Sequence, residues 1–301
     1  MPTVSTAISA SSVSLEIYVD AVNGNDAAGN GSASNPFRTI GKGLLAGSSG
    51  MTVIVKPGVY SAAAGESFPL RLKEGLALVG LGPDGVTVDG AGANYVFEDA
   101  PQSRIELLTI RGGGRAGILL RSASTVAFCV LHFNFRGIVC ESAAAVEDNL
   151  IENNSDTGVY ISGSAAPSIR RNAVRFNGGE GLECLNSASP AIRENEIREN
   201  QKHGVVCTDD AAPLLQGNTI TRNVLPEVYV LFGARPTLSG NVIRDNARYG
   251  IDDARSPNQG EISALGNTWN DPQPSGTIIG PADFRPNYFI KEAGNSIRFS
   301  G

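Results

Sequence analysis

Asn172-Ala173-Val174-Arg175-Phe176-Asn177, followed by Gly181-Leu182-Glu183-Cys184 and Pro190-Ala191-Ile192, is the stretch on which the reading of this chain turns. Its pattern returns every 23 residues: one asparagine series runs Asn149, Asn172, Asn195, Asn218, Asn241, and a second runs Asn154, Asn177, Asn200, Asn223, Asn246. Glycines fall at 158, 181, 204 and 250, and prolines at 167, 190, 213 and 236. A unit repeated in this way cannot bury its apolar face alone and must stack on its copies. Three short apolar pieces per unit imply three strands, in the last regular units Thr219 to Thr221, Val228 to Leu231 and Pro236 to Leu238. Every unit continues in the same sense, so the strands are parallel, and alternation sends Val205 and Cys207 inward and Val206 and Thr208 outward. The expected fold is all-β: a single-stranded right-handed parallel β-helix of about ten coils, on the order of 50 Å long at roughly 4.8 Å per rung.

Asparagine at a fixed bend stacks its amide on the next coil and tolerates left-handed backbone, so the two series read as structural ladders. Other solenoids fit worse. A leucine-rich repeat wants several leucines where this chain has Ile, Val, Cys and Gly, a hexapeptide helix would give a period divisible by six, and the calcium-binding nonapeptide pattern is absent.

Working outward, residues 147–263 form the regular repeats of a β-helix spanning 16–270. Gly117-Ile118 and Gly137-Ile138 read as irregular coils, and residues 16–100 as irregular coils with a cap, in which Phe37 to Ala46 forms a short amphipathic helix behind Pro36. Such a helix would cover the open end of the core, where unpaired strand edges invite aggregation. Residues 1–15 read as a flexible segment, and 271–301 as a tail covering the end or side of the helix.

With 301 residues, 41% of them hydrophobic, the chain can bury one continuous solenoid core. A net charge of -6 argues against a nucleic-acid surface and against an anionic membrane surface. No run approaches the roughly 18 apolar residues of a membrane span. Met1 to Ser14 has neither a basic region nor a long apolar segment and does not read as a secretory leader. Cys140, Cys184 and Cys207 share an inward column with Ile161 and Val230; stacked Cα atoms fall within disulfide range but parallel Cβ vectors fit the bond poorly, which favours buried, reduced, space-filling thiols over a disulfide, and the spacing of the four cysteines fits no zinc pattern.

The opening Tyr18-Val19-Asp20 with Gly24-Asn25-Asp26, then Asn35-Pro36-Phe37-Arg38-Thr39-Ile40, then Val53 to Tyr60, resembles the start of pectin-lyase-like right-handed β-helix proteins that open with a domain of unknown function. The asparagine units resemble the parallel β-helix repeats of that superfamily, including its carbohydrate-binding and sugar-hydrolase-like repeats. The two resemblances cover roughly residues 17 to 265. They imply the fold and a habit of binding or acting on polysaccharides outside the cytoplasm, hence an extracellular or cell-surface location. The superfamily's catalytic sets are incomplete. His203-Gly204 precedes Asp209-Asp210, the reverse of the polygalacturonase order, with no Arg-Ile-Lys and no Asn-Thr-Asp. The Trp-Ile-Asp-His segment of pectate lyases and the short Tyr, Asp and His motif of alginate epimerases are absent.

The repeat frame maps the surface. One outward column holds Tyr160, Glu183, Val206, Tyr229 and Asp252, and the turn before it holds Thr157, Glu180, His203, Pro226 and Tyr249. Tyrosine faces beside carboxylates suit a sugar, because rings stack on apolar pyranose faces while acids accept hydroxyl hydrogen bonds. This makes Tyr160, Glu180, Tyr229, Tyr249 and Asp252 candidate substrate-binding residues, and Glu183, His203 and Asp209 candidate catalytic ones. A plain solvated β-face explains the same residues, and His203 and His132 also read as turn or half-buried fillers. Asp253 falls in the inward column: either the regular coil has ended there, or it has a cation or arginine partner such as Arg255. Leu231 and Phe232 should protrude as an apolar patch, open to self-association, to a partner or to the tail. No cofactor is certain. Asp20, Asn23, Asn25 and Asp26 could supply oxygens to Ca²⁺, and turn chemistry explains the same residues. Gly112-Gly113-Gly114 lacks the context of a phosphate loop.

Two functions follow from different classes. One is a carbohydrate-binding or scaffolding β-helix of an exported or surface protein. The other is a lyase or glycoside hydrolase acting on an acidic glycan. Self-assembly through the coil ends or the Phe232 patch is a third reading.

Overall fold

The computed structural model describes residues 15–245, 249–256 and 261–268, and the strands Tyr288–Lys291 and Ser296–Arg298. Each rung is three short strands, as in Ala191–Arg193, Glu196–Arg198 and Val205–Cys207. Among the described residues, equivalent strands pair in parallel to build three sheets of 12, 9 and 10 strands, which the chain visits in that order on each turn of the right-handed spiral.

One inward-facing residue of each strand explains why the coil closes. Ile169, Ile192, Leu215 and Leu238 are register partners on the twelve-stranded sheet, and Ile151, Val174, Ile197, Ile220 and Ile243 are partners on the nine-stranded sheet. Val159, Leu182, Val205, Val228 and Ile251 form the matching column of the ten-stranded sheet. All these side chains are fully buried. Each contributes about 1.5–3 kcal/mol of burial, so the core is three apolar columns meeting on one axis. The four cysteines are buried free thiols, with Cys140, Ile161, Cys184, Cys207 and Val230 in one column.

Asparagine ladders close two of the bends. Asn195 Oδ1 accepts from the backbone N–H and side-chain amide of Asn172 at 2.9 and 3.0 Å, while Asn195 Nδ2 donates to Asn218 Oδ1, Ile169 O and Arg193 O. The first ladder runs from Asn149 to Asn241 and then to Asn267, and the second runs from Asn134 to Asn223. Asn246 lies outside the described residues. Beside the second ladder the glycine column is forced by close approach. A Cβ on Gly181 would lie 2.6 Å from Gly204 O and Ile197 Cγ2 and 3.0 Å from Asn200 Nδ2.

Before residue 147 the repeat loosens in length but not in stacking. Ala116–Leu120 and Arg136–Cys140 are strands in register with each other and with Val159–Ile161, so the irregular spacing is absorbed at the bends. The strands from Glu16 to Glu98 likewise join the three sheets. The helix is shorter than expected, Ile40–Ala46. Phe37 is held extended by its backbone bonds to Tyr18 and Asp20, and Thr39 caps the helix by accepting from Lys42 N. Ile40, Gly43 and Leu44 are buried, and a Cβ on Gly43 would lie 2.7 Å from Val19 Cγ2 in the first strand, so the helix closes the N-terminal end of the core.

Asp253 does not mark the end of the coil. Its strand, Tyr249–Asp253, pairs in register with Val228–Val230, and the Asp253 carboxylate meets Arg255 Nε at 2.7 Å and Nη2 at 2.9 Å, both side chains fully buried. The arginine partner is therefore the correct one of the two readings. Two pieces of the tail each add a strand, Tyr288–Lys291 on Tyr249–Asp253 and Ser296–Arg298 on Glu261–Leu265. The rest of the tail and residues 1–14 lie outside the described residues.

Candidate functional site

The outer face of the ten-stranded sheet carries the expected column. Tyr160, Glu183, Val206, Tyr229 and Asp252 are successive register partners, one per rung. Neighbouring rungs lie roughly 4.8 Å apart, so these side chains form a strip parallel to the axis. Val206 belongs to the outward column but is buried within it.

His203 lies flat on Tyr229, ring centroids 4.6 Å apart and planes 4° from parallel. Its Nδ1 stands 3.7 Å from Glu180 Oε1, too long for a hydrogen bond. Glu180 also receives Thr157 Oγ1 and Lys202 Nζ, each at 3.4 Å. Burial acts to raise the Glu180 carboxyl, but His203, a backbone N–H and the Lys202 ammonium outweigh it and hold it at about 2. Glu183 moves the other way. Burial pushes its carboxyl up, the nearby Glu180 charge adds to this, and Arg136 opposes it. Among the described residues nothing hydrogen-bonds or ion-pairs with the Glu183 carboxyl.

Arg136 completes the strip and went unnoticed in the sequence. Its guanidinium sits 4.0 Å from the Tyr160 ring centroid while Nε bonds Asp156 at 2.9 Å. The signal was available, because Arg136 precedes Ile138 by two residues just as Thr157 precedes Val159 on the next rung. Further toward the N-terminus the same face is apolar, with Tyr95, Ala116, Leu119 and Val139 packed together and Tyr160 against them.

The structure brings Tyr160, Glu180, Glu183, His203 and Tyr229 onto one face, with Tyr249 and Asp252 half-buried on the next rung. It does not bring Asp209 to His203. Five residues of the chain lie between them, including the strand Val205–Cys207, and Asp209 sits at the bend after it. Asp209 Oδ2 instead accepts from the backbone N–H and amide of Asn186 at 2.9 and 3.3 Å, at a bend where Asn186, Asp209 and Phe232 all have φ near +55°. Phe232 is 63% exposed as expected, whereas Leu231 is half-buried and not protruding, its N–H donating to Cys207 O.

The N-terminal oxygens go to turns. Asp20 accepts from Val22 N, Asn23 N and Asn23 Nδ2, Asn25 from Ala27 N and Ala28 N, and Asp26 from Arg38 N, Thr39 N and Thr39 Oγ1. Among the described residues no group of three or more His, Cys, Asp or Glu is placed to hold a metal ion. None of their helices is long and apolar enough to cross a membrane. His132 packs on Phe133, and burial lowers its pKa.

Residues 22–275 match the family described as "Protein of unknown function (DUF1565)", and the chain belongs to it. No curated protein matches the sequence. Among solved structures the chain is similar to the A-module of the mannuronan C-5 epimerase AlgE6 of Azotobacter vinelandii, at 16% identity over 86% of this chain and 93% of that one, with a TM-score of 0.60. It is similar to ORF18 of Geobacillus virus E2 at 14% identity, 83% and 54% coverage and a TM-score of 0.60. It is also similar to the pectate lyase Pel9A at 14% identity, 95% and 76% coverage and a TM-score of 0.51. At these identities the shared property is the fold.

Proposed function

We propose that this β-helix binds a polysaccharide along the outer face of its ten-stranded sheet and serves as a carbohydrate-binding or scaffolding element of an exported or cell-surface protein. The observation that carries the reading is the strip itself: Tyr160, Glu183 and the His203–Tyr229 stack stand on neighbouring rungs of one rigid face. Stacking rings and a free carboxyl are what a pyranose chain needs, and rigid strands spare the entropy that loops would lose on binding. The similar folds include an epimerase named for mannuronan and a lyase named for pectate, both polysaccharides, which supports the same direction. A glycan array followed by calorimetry tests it. Tyr160→Ala and Tyr229→Ala are expected to weaken the bound glycan at least tenfold with the circular dichroism unchanged, and an array without hits rejects the proposal.

A second reading, a glycoside hydrolase or lyase, is favoured by one observation: Glu180 and Glu183 share a face while their environments move their pKa values in opposite directions, Glu180 down and Glu183 up. In that reading Glu183 donates the proton, Glu180 replaces Asp209 as the second carboxylate, and His203 orients Glu180. Release of reducing ends or of unsaturated products from the array hits, lost in Glu183→Gln, separates it from binding alone.

A further inference from the structure

The charges on the strip do not cancel, and the remainder has a sign. Arg136 is neutralised by Asp156 at 2.9 Å and Lys202 by Glu180 at 3.4 Å. Toward the N-terminal end of the same sheet Arg71 is paired with Glu98 at 2.8 Å and Arg121 with Glu141 at 3.0 Å. Arg115 has no acid partner among the described residues and lies over Tyr95. It precedes the strand three rungs before Glu183, about 14 Å away at 4.8 Å per rung, beyond a physiological Debye length. One charged group is left in the middle of the strip. The Glu183 carboxyl stands between Tyr160 on one rung and Val206 on the next, with the Glu180 charge beside it and no partner of its own.

Building on the binding reading above, we infer that the strip selects a glycan bearing free amino groups, an amino-sugar polymer whose ammonium pairs with Glu183 while its ring faces pack on Tyr160 and on the His203–Tyr229 stack. A glycan of acidic sugars meets the opposite condition. Its carboxylates approach Glu183 and Glu180, and the two cations able to receive them are already held by Asp156 and Glu180. The net charge of -6 works in the same sense at longer range. A half-buried ammonium–carboxylate bond is stronger than the neutral bond an acetamide offers, so the preference is for the free amine over its acetylated form as well.

The test is calorimetric titration of the whole protein with three linear oligosaccharides of equal length: a glucosamine hexamer, its N-acetylated counterpart and an oligouronate. The expected order is glucosamine first by roughly tenfold, then the acetylated sugar, then the uronate, with the glucosamine affinity falling as salt is added. Affinity also falls as the pH is lowered, because burial and Glu180 make Glu183 take up its proton early, with Arg136 and Lys202 opposing and Asp156 reinforcing this. Glu183→Gln is expected to abolish the preference for the free amine, and Lys202→Gln, which frees Glu180, to strengthen it. Equal or tighter binding of the acetylated or uronate hexamer, or a preference that survives Glu183→Gln, overturns the inference and leaves glycan binding standing. No binding by any of the three, with no array hit, overturns both.

Discussion

Glu227 stands in the glycine column, one rung after Gly204, and its carboxylate takes the Asn223 end of the second ladder: Oε1 accepts Asn223 N–H at 3.2 Å and Oε2 accepts the Asn223 amide. It is fully buried. Burial pushes its pKa up to about 8, against the pull of the two Asn223 donors. The folded state then holds this proton more tightly than the unfolded chain, whose value is near 4.3. The stability that the protonated group contributes is complete below the unfolded pKa and is lost as pH rises through about 8. Urea midpoints of the wild type should therefore decline between mild acid and mild alkali, and Glu227→Gln should flatten that decline. Parallel curves for the two proteins would refute the assignment.

Asn195 is an interior ladder residue, and Asn195→Ala leaves buried N–H and C=O groups of two neighbouring rungs unpaired. The expected cost is about 2–4 kcal/mol in denaturant unfolding. Asn267→Ala, at the partly buried end of the same ladder, should cost clearly less. Equal costs would mean that the amides do not act as a buried network.

Asp253 and Arg255 illustrate a buried pair. Asp253→Ala removes the carboxylate that faces a fully buried guanidinium and is expected to cost about 3–5 kcal/mol, whereas the apolar double replacement Asp253→Leu with Arg255→Met should recover most of it. A double variant as unstable as the single one would show that the pair supplies something that apolar packing does not.

Gly181→Ala and Gly163→Ala separate two reasons for glycine. The first methyl would meet Gly204 O and Ile197 Cγ2 at 2.6 Å and should cost about 1–3 kcal/mol by overpacking. The second meets nothing within 4 Å and is opposed only by its φ of +73°, at roughly 1–2 kcal/mol. Thermal unfolding of the two variants should reproduce that order, with loss of cooperativity only in the first.

Much of the strip was legible because the repeat is strict. Once Asn172 and Asn195 are known to stack, Tyr160, Glu183, Val206, Tyr229 and Asp252 must stack too, and they do. Where Asp209 sits could not be read because counting along a rung gives no direction: three residues beyond Val206 the chain has turned a corner, and the side chain bonds across that corner. Leu231 was misjudged because strict alternation was carried past the last residue of the strand, Val230. Glu227 was signalled by the missing glycine, but the pattern could not tell that its carboxylate would fold back onto Asn223.

By itself the sequence determined the coil: a period of 23, two asparagine series and three apolar pieces per unit leave one way to stack, since each residue's neighbour above and below is its own counterpart. Charge pairing was decided only by tertiary structure. Whether Arg136 is spent on Asp156, whether Lys202 reaches Glu180, and whether Glu183 is left over depend on the paths of side chains between rungs of unequal length. Such choices are electrostatic and local, each worth a few kcal/mol at most, and no periodicity encodes them.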